Sequence, residues 1–334
     1  MPGKTLSRYY EILDGERKPR YIVSKTRMVD FATGADDDSL WKAHRQAVTA
    51  NTSGGTRTLL ELKAALGARM LHNCRLCERA CEKNRVRGDA GHCGVLGAKI
   101  CSEFLHMGEE PDLVPSYTVF FAGCTFNCVF CQNWDISTHP DAGLDISPAD
   151  MARKIELRAT ADGRRYGRAR NVNWVGGEPT ANLPYILEVL RACGANLPQV
   201  WNSNMYMSEE AMSLLDGIVD VYLTDFKYGN DKCALRLSNA PHYMKIVERN
   251  HLLARANGEM IVRHLVLPQH VECCTRPALT WIAENLEGVK VNVMAQYRPE
   301  YRARDFPEIA HPLPMREQEV AVRIAEQLGL ELCD

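Results

Sequence analysis

The sequence predicts an α/β fold, a partial (βα)6 TIM-like barrel with an N-terminal cysteine-rich extension. From about residue 117 onward, short apolar runs alternate with helical patterns, which indicates βα units around a parallel sheet. Cysteines are concentrated before that point, at 74–101. We therefore expect an N-terminal extension over 1–115 and a barrel over 116–334. The cysteine-rich segment 74–101 of the extension is predicted to be a metal-binding module. A doubly wound flat sheet is the alternative architecture.

The predicted elements follow one another along the chain. Six apolar runs predict strands, at 118–122, 171–176, 199–203, 219–224, 260–267 and 289–294. Helical patterns occupy 56–70, 147–159, 183–194, 208–217, 275–286 and 314–329. Ser147 is suited to cap its helix, because Pro148 follows at the first helical position. Residues 1–55 are polar and weakly periodic, and they give no signal of a function.

Charge and hydropathy exclude some classes of protein. The chain has 334 residues and a net charge of −2, which argues against a nucleic-acid partner held by phosphate neutralisation. An arginine-rich stretch, predicted to be either a solvated loop or a contact for an acidic partner, contains Arg164, Arg165, Arg168 and Arg170. No apolar run reaches the roughly 18 residues of a membrane span, and the N-terminus lacks an apolar signal core. We therefore expect a cytoplasmic protein without a membrane partner.

Three of the 13 cysteines directly follow the first predicted strand of the barrel. Cys124, Cys128 and Cys131 form a C-x3-C-x2-C pattern. Loops at the carboxyl ends of parallel strands build the active sites of α/β folds, so this position favours chemistry. Three thiolates leave one metal position open, which is typical of a catalytic site. Structural zinc with a distant fourth ligand is the alternative.

The same loop resembles the cluster loop of the radical S-adenosylmethionine superfamily, with Phe130 in the aromatic position of C-x3-C-x-aromatic-C. The resemblance implies a [4Fe–4S] cluster on the three cysteines, with S-adenosylmethionine chelating the open iron and Phe130 contacting this cosubstrate. WVGGEP at 174–179 resembles the Gly-Gly-Glu-Pro motif of the family. In that motif, Gly176 and Gly177 would permit close approach of a ligand, and Glu178 would lie near the ammonium group of the bound methionine.

Four further residues are expected to contact the cosubstrate. Asn204 offers a polar side chain in the loop after the third strand. Asp225 and Lys227 resemble the Asp-x-Lys element of glycyl-radical-enzyme activating enzymes, which helps to hold the cosubstrate. Arg263 is a candidate for the methionine carboxylate or the ribose, and a structural ion pair is its alternative. His264 should point to the opposite side of the same strand.

The resemblance covers residues 117 to about 300, and it is closest to the pyruvate formate-lyase activating enzyme-like branch. It implies an anaerobic oxidoreductase that takes an electron from a donor such as ferredoxin or flavodoxin. S-adenosylmethionine would then be cleaved to a 5′-deoxyadenosyl radical, which abstracts hydrogen from the substrate. The first hypothesis for the substrate is a partner glycyl radical enzyme. The alternative substrates are another peptide, an RNA or a metabolite. The alternative function is that of a non-catalytic iron–sulfur or zinc protein. No catalytic residue is assigned.

Two further groups of cysteines stand apart from this loop. Cys74, Cys77, Cys81 and Cys93 have the spacing C-x2-C-x3-C-x11-C. Four thiolates would close a tetrahedral site, either for structural zinc or for an auxiliary iron–sulfur cluster; free buried thiols are the alternative. The other group follows the fourth and fifth strands and consists of Cys233, Cys273 and Cys274. These thiols are predicted to be ligands, substrate-facing groups or small apolar fillers.

Overall fold

The computed structural model describes residues 5–49, 54–160 and 167–333. Arg164 and Arg165 of the arginine-rich stretch lie outside the described residues. The strands are β1 (Met28–Val29), β2 (Arg57–Thr58), β3 (Ile100–His106), β4 (Ser116–Phe121), β5 (Asn171–Gly176), β6 (Gln199–Ser203), β7 (Val221–Asp225), β8 (Glu259–Leu265), β9 (Lys290–Met294) and β10 (Glu331–Leu332). The helices are α1 (Ser7–Leu13), α2 (Arg20–Thr26), α3 (Asp37–Thr49), α4 (Leu59–Met70), α5 (Trp134–Ser137), α6 (Pro148–Thr160), α7 (Leu183–Ala192), α8 (Glu209–Leu215), α9 (Asp231–Ser238), α10 (Tyr243–Asn257), α11 (Arg276–Asn285) and α12 (Met315–Gln327).

Eight strands form one sheet in the order β10-β9-β8-β7-β6-β5-β4-β3. All neighbours from β4 to β10 are parallel, and β3 runs antiparallel to β4. Each of the strands β4 to β9 lies beside its predecessor in the chain, whereas a doubly wound sheet reverses its strand order. The predicted partial barrel is therefore confirmed. Over the described ranges the barrel stays open, because β3 and β10 form the two edges of the sheet.

The predicted strands correspond to β4–β9 within a few residues, and the predicted cap of α6 is confirmed. The backbone N–H of Asp150 donates to Ser147 Oγ at 3.1 Å. The prediction missed the strands β1, β2, β3 and β10 together with six helices: α1, α2, α3, α5, α9 and α10. Three of these helices lie within residues 1–55, where the sequence analysis predicted no element.

Remote carboxylates explain why the first two helices escaped the sequence analysis. The backbone N–H groups of Arg8 and Tyr9, in the first turn of α1, donate to the carboxylate of Glu259 at 2.9 and 2.8 Å. The N–H of Arg20 at the start of α2 donates to Asp220 Oδ1 at 3.0 Å. A helix N-terminus needs acceptors for its free N–H groups, and here residues distant in sequence supply them. Neither helix has an N-cap residue whose side chain makes a capping hydrogen bond, so the local sequence does not indicate where these helices begin.

The two faces of the sheet differ in what they contact. The outer face packs against the helices through large buried side chains such as Trp174, Trp201 and Tyr222. The opposite face carries a small apolar cluster near the start of the strands, which Leu6 and Tyr9 of the α1 region cover. The N-terminal segment thus closes one end of the inner face and leaves the carboxyl edge of the strands for a site. In the parts of the chain described, no helix has the length and apolar character needed to cross a membrane.

Candidate functional site

The loop after β4 brings Cys124, Cys128 and Cys131 to the carboxyl edge of the sheet. Its backbone is fixed by α9, because the N–H groups of Asn127 and Val129 donate to Ser238 O and Leu237 O at 3.1 and 2.9 Å. A third bond, from Arg302 N–H to Val129 O at 2.8 Å, ties the loop to the C-terminal region. The loop geometry is therefore set by two distant segments.

Phe130 forms the apolar base of the loop. Its buried ring lies 6.1 Å from the ring of Tyr297 and 6.5 Å from that of Tyr228, centroid to centroid. Both contacts are near-perpendicular, an arrangement that aromatic pairs favour. In this structure the aromatic position of the motif therefore supports the loop by packing, and the predicted cosubstrate contact of Phe130 stays a prediction.

Each of the three half-buried sulfurs has a polar neighbour. The N–H of Phe126 donates to Cys124 Sγ at 3.4 Å, and Ser238 Oγ donates to Cys128 Sγ at 2.9 Å. Cys131 Sγ lies 3.4 Å from Ser137 Oγ. Burial raises the pKa of the Cys128 thiol to about 11, although the Lys227 ammonium group opposes this shift. Such thiols become thiolates when they coordinate a metal, and the hydrogen-bond donors then stabilise the sulfur charge.

The spacing of these sulfurs distinguishes a cluster from a single ion. Zinc–sulfur bonds of about 2.3 Å hold the sulfurs of a tetrahedral site roughly 3.8 Å apart. Among the described residues, the group of three or more ligand atoms lying within 4.8 Å of one another is Cys233, His270 and Cys273. The three cysteines of the loop after β4 do not form such a compact group. Three cysteine thiols are ligands that iron–sulfur clusters use, so this donor set fits such a cluster.

Two glycines let the end of β5 lie directly against the cysteine loop. Gly176 has φ +136°, and a Cβ there would lie 2.2 Å from the backbone nitrogen of Phe121. A Cβ at Gly177 would lie 2.1 Å from the carbonyl oxygen of Gly123, the residue before Cys124. Only glycine tolerates both approaches. The Gly-Gly pair is thus needed for contact between backbone segments, whatever ligand it also admits.

The buried carboxylate of Glu178 holds the turn that follows these glycines. It accepts hydrogen bonds from Thr180 Oγ1 at 2.6 Å, Ser203 Oγ at 2.7 Å and the N–H of Asn204 at 2.9 Å. Burial raises the pKa of Glu178, and these hydrogen bonds oppose the shift. Both carboxylate oxygens therefore have partners within the protein. A contact between Glu178 and the methionine ammonium group stays a prediction.

Asn204 connects this turn to the cysteine loop. Its side-chain Nδ2 donates to Thr125 Oγ1 at 3.0 Å and lies 3.9 Å from Cys124 Sγ. Its Oδ1 accepts from the N–H of Tyr206 at 3.0 Å. Asn204 thus lies beside Cys124, and its contact with the cosubstrate stays a prediction.

The Asp-x-Lys pair lies at the end of β7, close to the same thiols. Lys227 Nζ bonds Asp225 Oδ2 at 2.7 Å, and the two side chains are partly exposed. Burial opposes the positive charge of Lys227, but the Asp225 carboxylate and Cys128 outweigh it and raise the pKa of the ammonium group. Lys227 therefore remains charged beside Cys128. The pair can offer both a cation and an anion to a zwitterionic ligand.

Arg263 lies on the inner face and is engaged by two carboxylates that the sequence analysis missed. Glu110 accepts from Arg263 Nε at 2.6 Å, and Glu109 forms a second ion pair with the same guanidinium group. Burial would raise the pKa of Glu109, but His106 and Arg263 lower it to about 2. This geometry fits the structural ion pair weighed for Arg263; its predicted contact with the cosubstrate is untested. The adjacent acidic residues Glu109 and Glu110 in GEEPD were the signal in the sequence from which partners for Arg263 could have been predicted.

His264 points away from Arg263, as the alternation of side chains along a strand predicts. One ring nitrogen, Nδ1, lies 2.7 Å from Phe226 O, and Nε2 lies 2.9 Å from Thr275 Oγ1. Burial lowers the pKa of His264 to about 4. His264 is therefore a neutral ring within the helix-facing core.

The second cysteine group docks against the first. Burial raises the pKa of Cys77, and the remaining three thiols of the group, at Cys74, Cys81 and Cys93, lie near enough to raise it further. The module contacts the loop after β6 through Glu78 N–H to Tyr206 O at 3.3 Å. Arg79 Nε donates to Thr125 O at 3.0 Å, inside the loop that follows β4. The structure thus brings the four predicted ligands together beside the first site.

The third group lies at the carboxyl ends of β7 and β8. Cys233 is in the first turn of α9, whereas Cys273 and Cys274 belong to a π-helical turn over Val271–Thr275. The sulfurs of Cys273 and Cys274 are 3.9 Å apart. His270, which the sequence analysis did not single out, joins Cys233 and Cys273 in a compact group.

Comparisons with known proteins agree with the site. The radical SAM superfamily profile matches residues 118–282. An uncharacterized protein of Methanocaldococcus jannaschii, MJ0674, is 41% identical over 98% of both chains. Pyruvate formate-lyase 1-activating enzyme of Escherichia coli is 24% identical over 46% of this chain and 61% of that enzyme.

Two solved structures are similar to this chain over different shares of its length. Methylornithine synthase (PylB) has a TM-score of 0.46 and 11% identity, over 98% of this chain and 78% of that one. Streptococcus suis SuiB bound to the precursor peptide SuiA has a TM-score of 0.45 and 15% identity, over 63% of this chain and 45% of that one. Both TM-scores are below 0.5, so the assignment of the fold depends on the strand order of this chain and not on these two structures. The matched profile, the close relative along the whole chain and the cysteine loop after β4 agree, and the chain belongs to the radical SAM superfamily.

Proposed function

We propose that this radical SAM enzyme removes a hydrogen atom from a protein substrate, and that the substrate is a glycyl radical enzyme. The supporting observation is the loop after β4, where three thiols with hydrogen-bonded sulfurs lie beside the Gly-Gly-Glu-Pro turn. The partial similarity to pyruvate formate-lyase 1-activating enzyme supports the choice of substrate. Modification of another peptide, an RNA or a metabolite is the competing hypothesis.

Members of this superfamily use a [4Fe–4S] cluster and S-adenosylmethionine. Cys124, Cys128 and Cys131 would hold the cluster, and Asn204, Asp225 and Lys227 would hold the cosubstrate. When bound, the two groups supply one electron and a 5′-deoxyadenosyl group for hydrogen abstraction. The protein residues orient these groups and exclude water from the inner face. An external donor such as ferredoxin or flavodoxin would supply the electron.

Anaerobic reconstitution tests the proposed activity. The reconstituted protein is mixed with dithionite and S-adenosylmethionine, and 5′-deoxyadenosine is measured by liquid chromatography. We expect its formation to depend on the cluster. If an intact cluster gives no 5′-deoxyadenosine, the protein is instead a non-catalytic iron–sulfur protein. A candidate glycyl radical enzyme is then added, and electron paramagnetic resonance should detect a carbon-centred radical on that partner; 5′-deoxyadenosine without such a signal favours another substrate.

We further propose that Cys74, Cys77, Cys81 and Cys93 bind an auxiliary iron–sulfur cluster. The support is proximity: the thiols of Cys74, Cys81 and Cys93 lie near enough to Cys77 to raise the pKa of its thiol. Replacing Cys77 by Ser should lower the iron content by the amount of one cluster. The cluster of the loop after β4, and with it the formation of 5′-deoxyadenosine, should be retained. Unchanged iron together with lost zinc would identify a zinc site; unchanged iron and zinc would show free thiols.

The compartment follows from the same chemistry. All 13 cysteines are free thiols in the structure, and thiols persist in the reducing cytoplasm. We therefore propose a cytoplasmic location under anaerobic conditions. Fractionation of the native cell with an antibody against the chain would show an extracytoplasmic signal if this is wrong.

A further inference from the structure

We propose that Cys233, His270 and Cys273 form a mononuclear metal site of the zinc type, separate from both cysteine sets predicted to hold clusters. One ligand atom from each of the three side chains lies within 4.8 Å of the other two. This compactness suits one ion, because a tetrahedral zinc site holds its sulfur and nitrogen ligands less than about 4 Å apart. Two thiolates and one imidazole are ligands that zinc prefers.

The imidazole is already oriented for coordination. His270 is buried, and its Nδ1 lies 2.7 Å from the carbonyl oxygen of Pro268, where the N–H of that nitrogen can donate. A histidine that donates from one ring nitrogen to a backbone carbonyl presents the other nitrogen to a metal. Nε2 of His270 is thereby left as the ligand atom.

Asn230 fixes the two loops that carry the ligands. Its Oδ1 accepts from the N–H of Cys233 at 2.8 Å, which caps the N-terminus of α9. Its Nδ2 donates to the carbonyl oxygen of Cys273 at 2.7 Å. One amide side chain therefore sets the position of both cysteines before any metal binds. The π-helical turn that carries Cys273 is a geometry often found at functional sites.

Three protein ligands leave the fourth coordination position to water or an external ligand. Cys274 is close, with its sulfur 3.9 Å from that of Cys273, but it lies outside the compact group and is buried. Cys273 is exposed, so the site is accessible from solvent. It also lies near the predicted cluster: Cys233 is at one end of α9, and Ser238, which bonds Cys128 Sγ, is at the other. The two positions are about 7.5 Å apart along the helix axis.

The test measures metal and not enzyme activity. The full chain is purified anaerobically and loaded with Zn²⁺, excess metal is removed, and zinc is measured by inductively coupled plasma mass spectrometry. We expect Cys273→Ser and Cys233→Ser each to hold about one zinc fewer per chain than the wild type. Cys193→Ser, a change at the C-terminal cap of α7, is the control and should retain the wild-type content.

A second measurement separates loss of the site from loss of the fold. Co²⁺ added in place of Zn²⁺ should give a thiolate-to-metal absorption band in the wild type that Cys273→Ser weakens and Cys193→Ser preserves. Because Cys273 is exposed, its replacement should leave the far-ultraviolet circular dichroism unchanged. Equal zinc and cobalt binding in all variants would overturn the proposal. A mass spectrum showing a disulfide between Cys233 and Cys273 in the anaerobic protein would also overturn it.

Discussion

The loop after β4 and the group formed by Cys233, His270 and Cys273 lie at the same edge of the sheet, yet they suit different metals. In the first, the three sulfurs are not grouped within 4.8 Å of one another, and each has a polar neighbour. The second is compact and includes a nitrogen ligand. The comparison teaches that the distance between ligand atoms, and not the number of thiols, distinguishes a cluster from a single ion.

Helix α9 takes part in both sites. Ser238 at its C-terminal end donates to Cys128 Sγ, and Cys233 in its first turn belongs to the compact group. A change that is confined to one end of the helix should therefore affect one metal and spare the other.

Replacing Cys128 by Ser should remove the cluster of the loop after β4 and abolish 5′-deoxyadenosine formation. Serine is a poor ligand for iron of this kind, because iron–sulfur clusters are held by thiolates. Iron per chain and 5′-deoxyadenosine yield are measured after anaerobic reconstitution. Zinc at Cys233, His270 and Cys273 should be unchanged, and Cys193→Ser is the control. Cleavage retained in Cys128→Ser would refute the ligand assignment.

Replacing Gly177 by Ala should displace the end of β5 from the cysteine loop. The new Cβ would lie 2.1 Å from Gly123 O, so we expect a loss of about 1–3 kcal/mol in the free energy of unfolding, as in other overpacked sites. Denaturant unfolding and the yield of reconstituted cluster report the effect. Gly97→Ala is the matched control, because a Cβ there has nothing within 4 Å. Equal stability of both variants would contradict the packing argument.

Replacing Ser238 by Ala should give the smallest effect. It removes the hydroxyl that donates to Cys128 Sγ at 2.9 Å, and donors to the sulfurs help to set the reduction potential of a cluster. We expect a more negative potential in an anaerobic redox titration, with cluster iron and zinc content retained. Ser102→Ala, at an exposed position of β3, is the control. A potential equal to that of the wild type would show that this hydrogen bond does not act on the cluster.

The parts of the fold that sequence analysis predicted are those with a local pattern. The strands β4–β9 appear as short apolar runs, and the start of α6 is indicated by Ser147 and Pro148. The loop after β4 could be predicted because its three ligands lie within eight consecutive residues. In each case the interacting residues are neighbours in the chain, so their spacing alone carries the information.

Tertiary structure decided the rest. The amino ends of α1 and α2 depend on Glu259 and Asp220, and Arg263 is neutralised by Glu109 and Glu110. The compact metal site is assembled from a helix after β7 and a turn after β8, so neither segment reveals it alone. Side-chain contacts between distant segments leave no periodicity in the sequence, because only the parallel register of β7 and β8 brings those segments to the same edge.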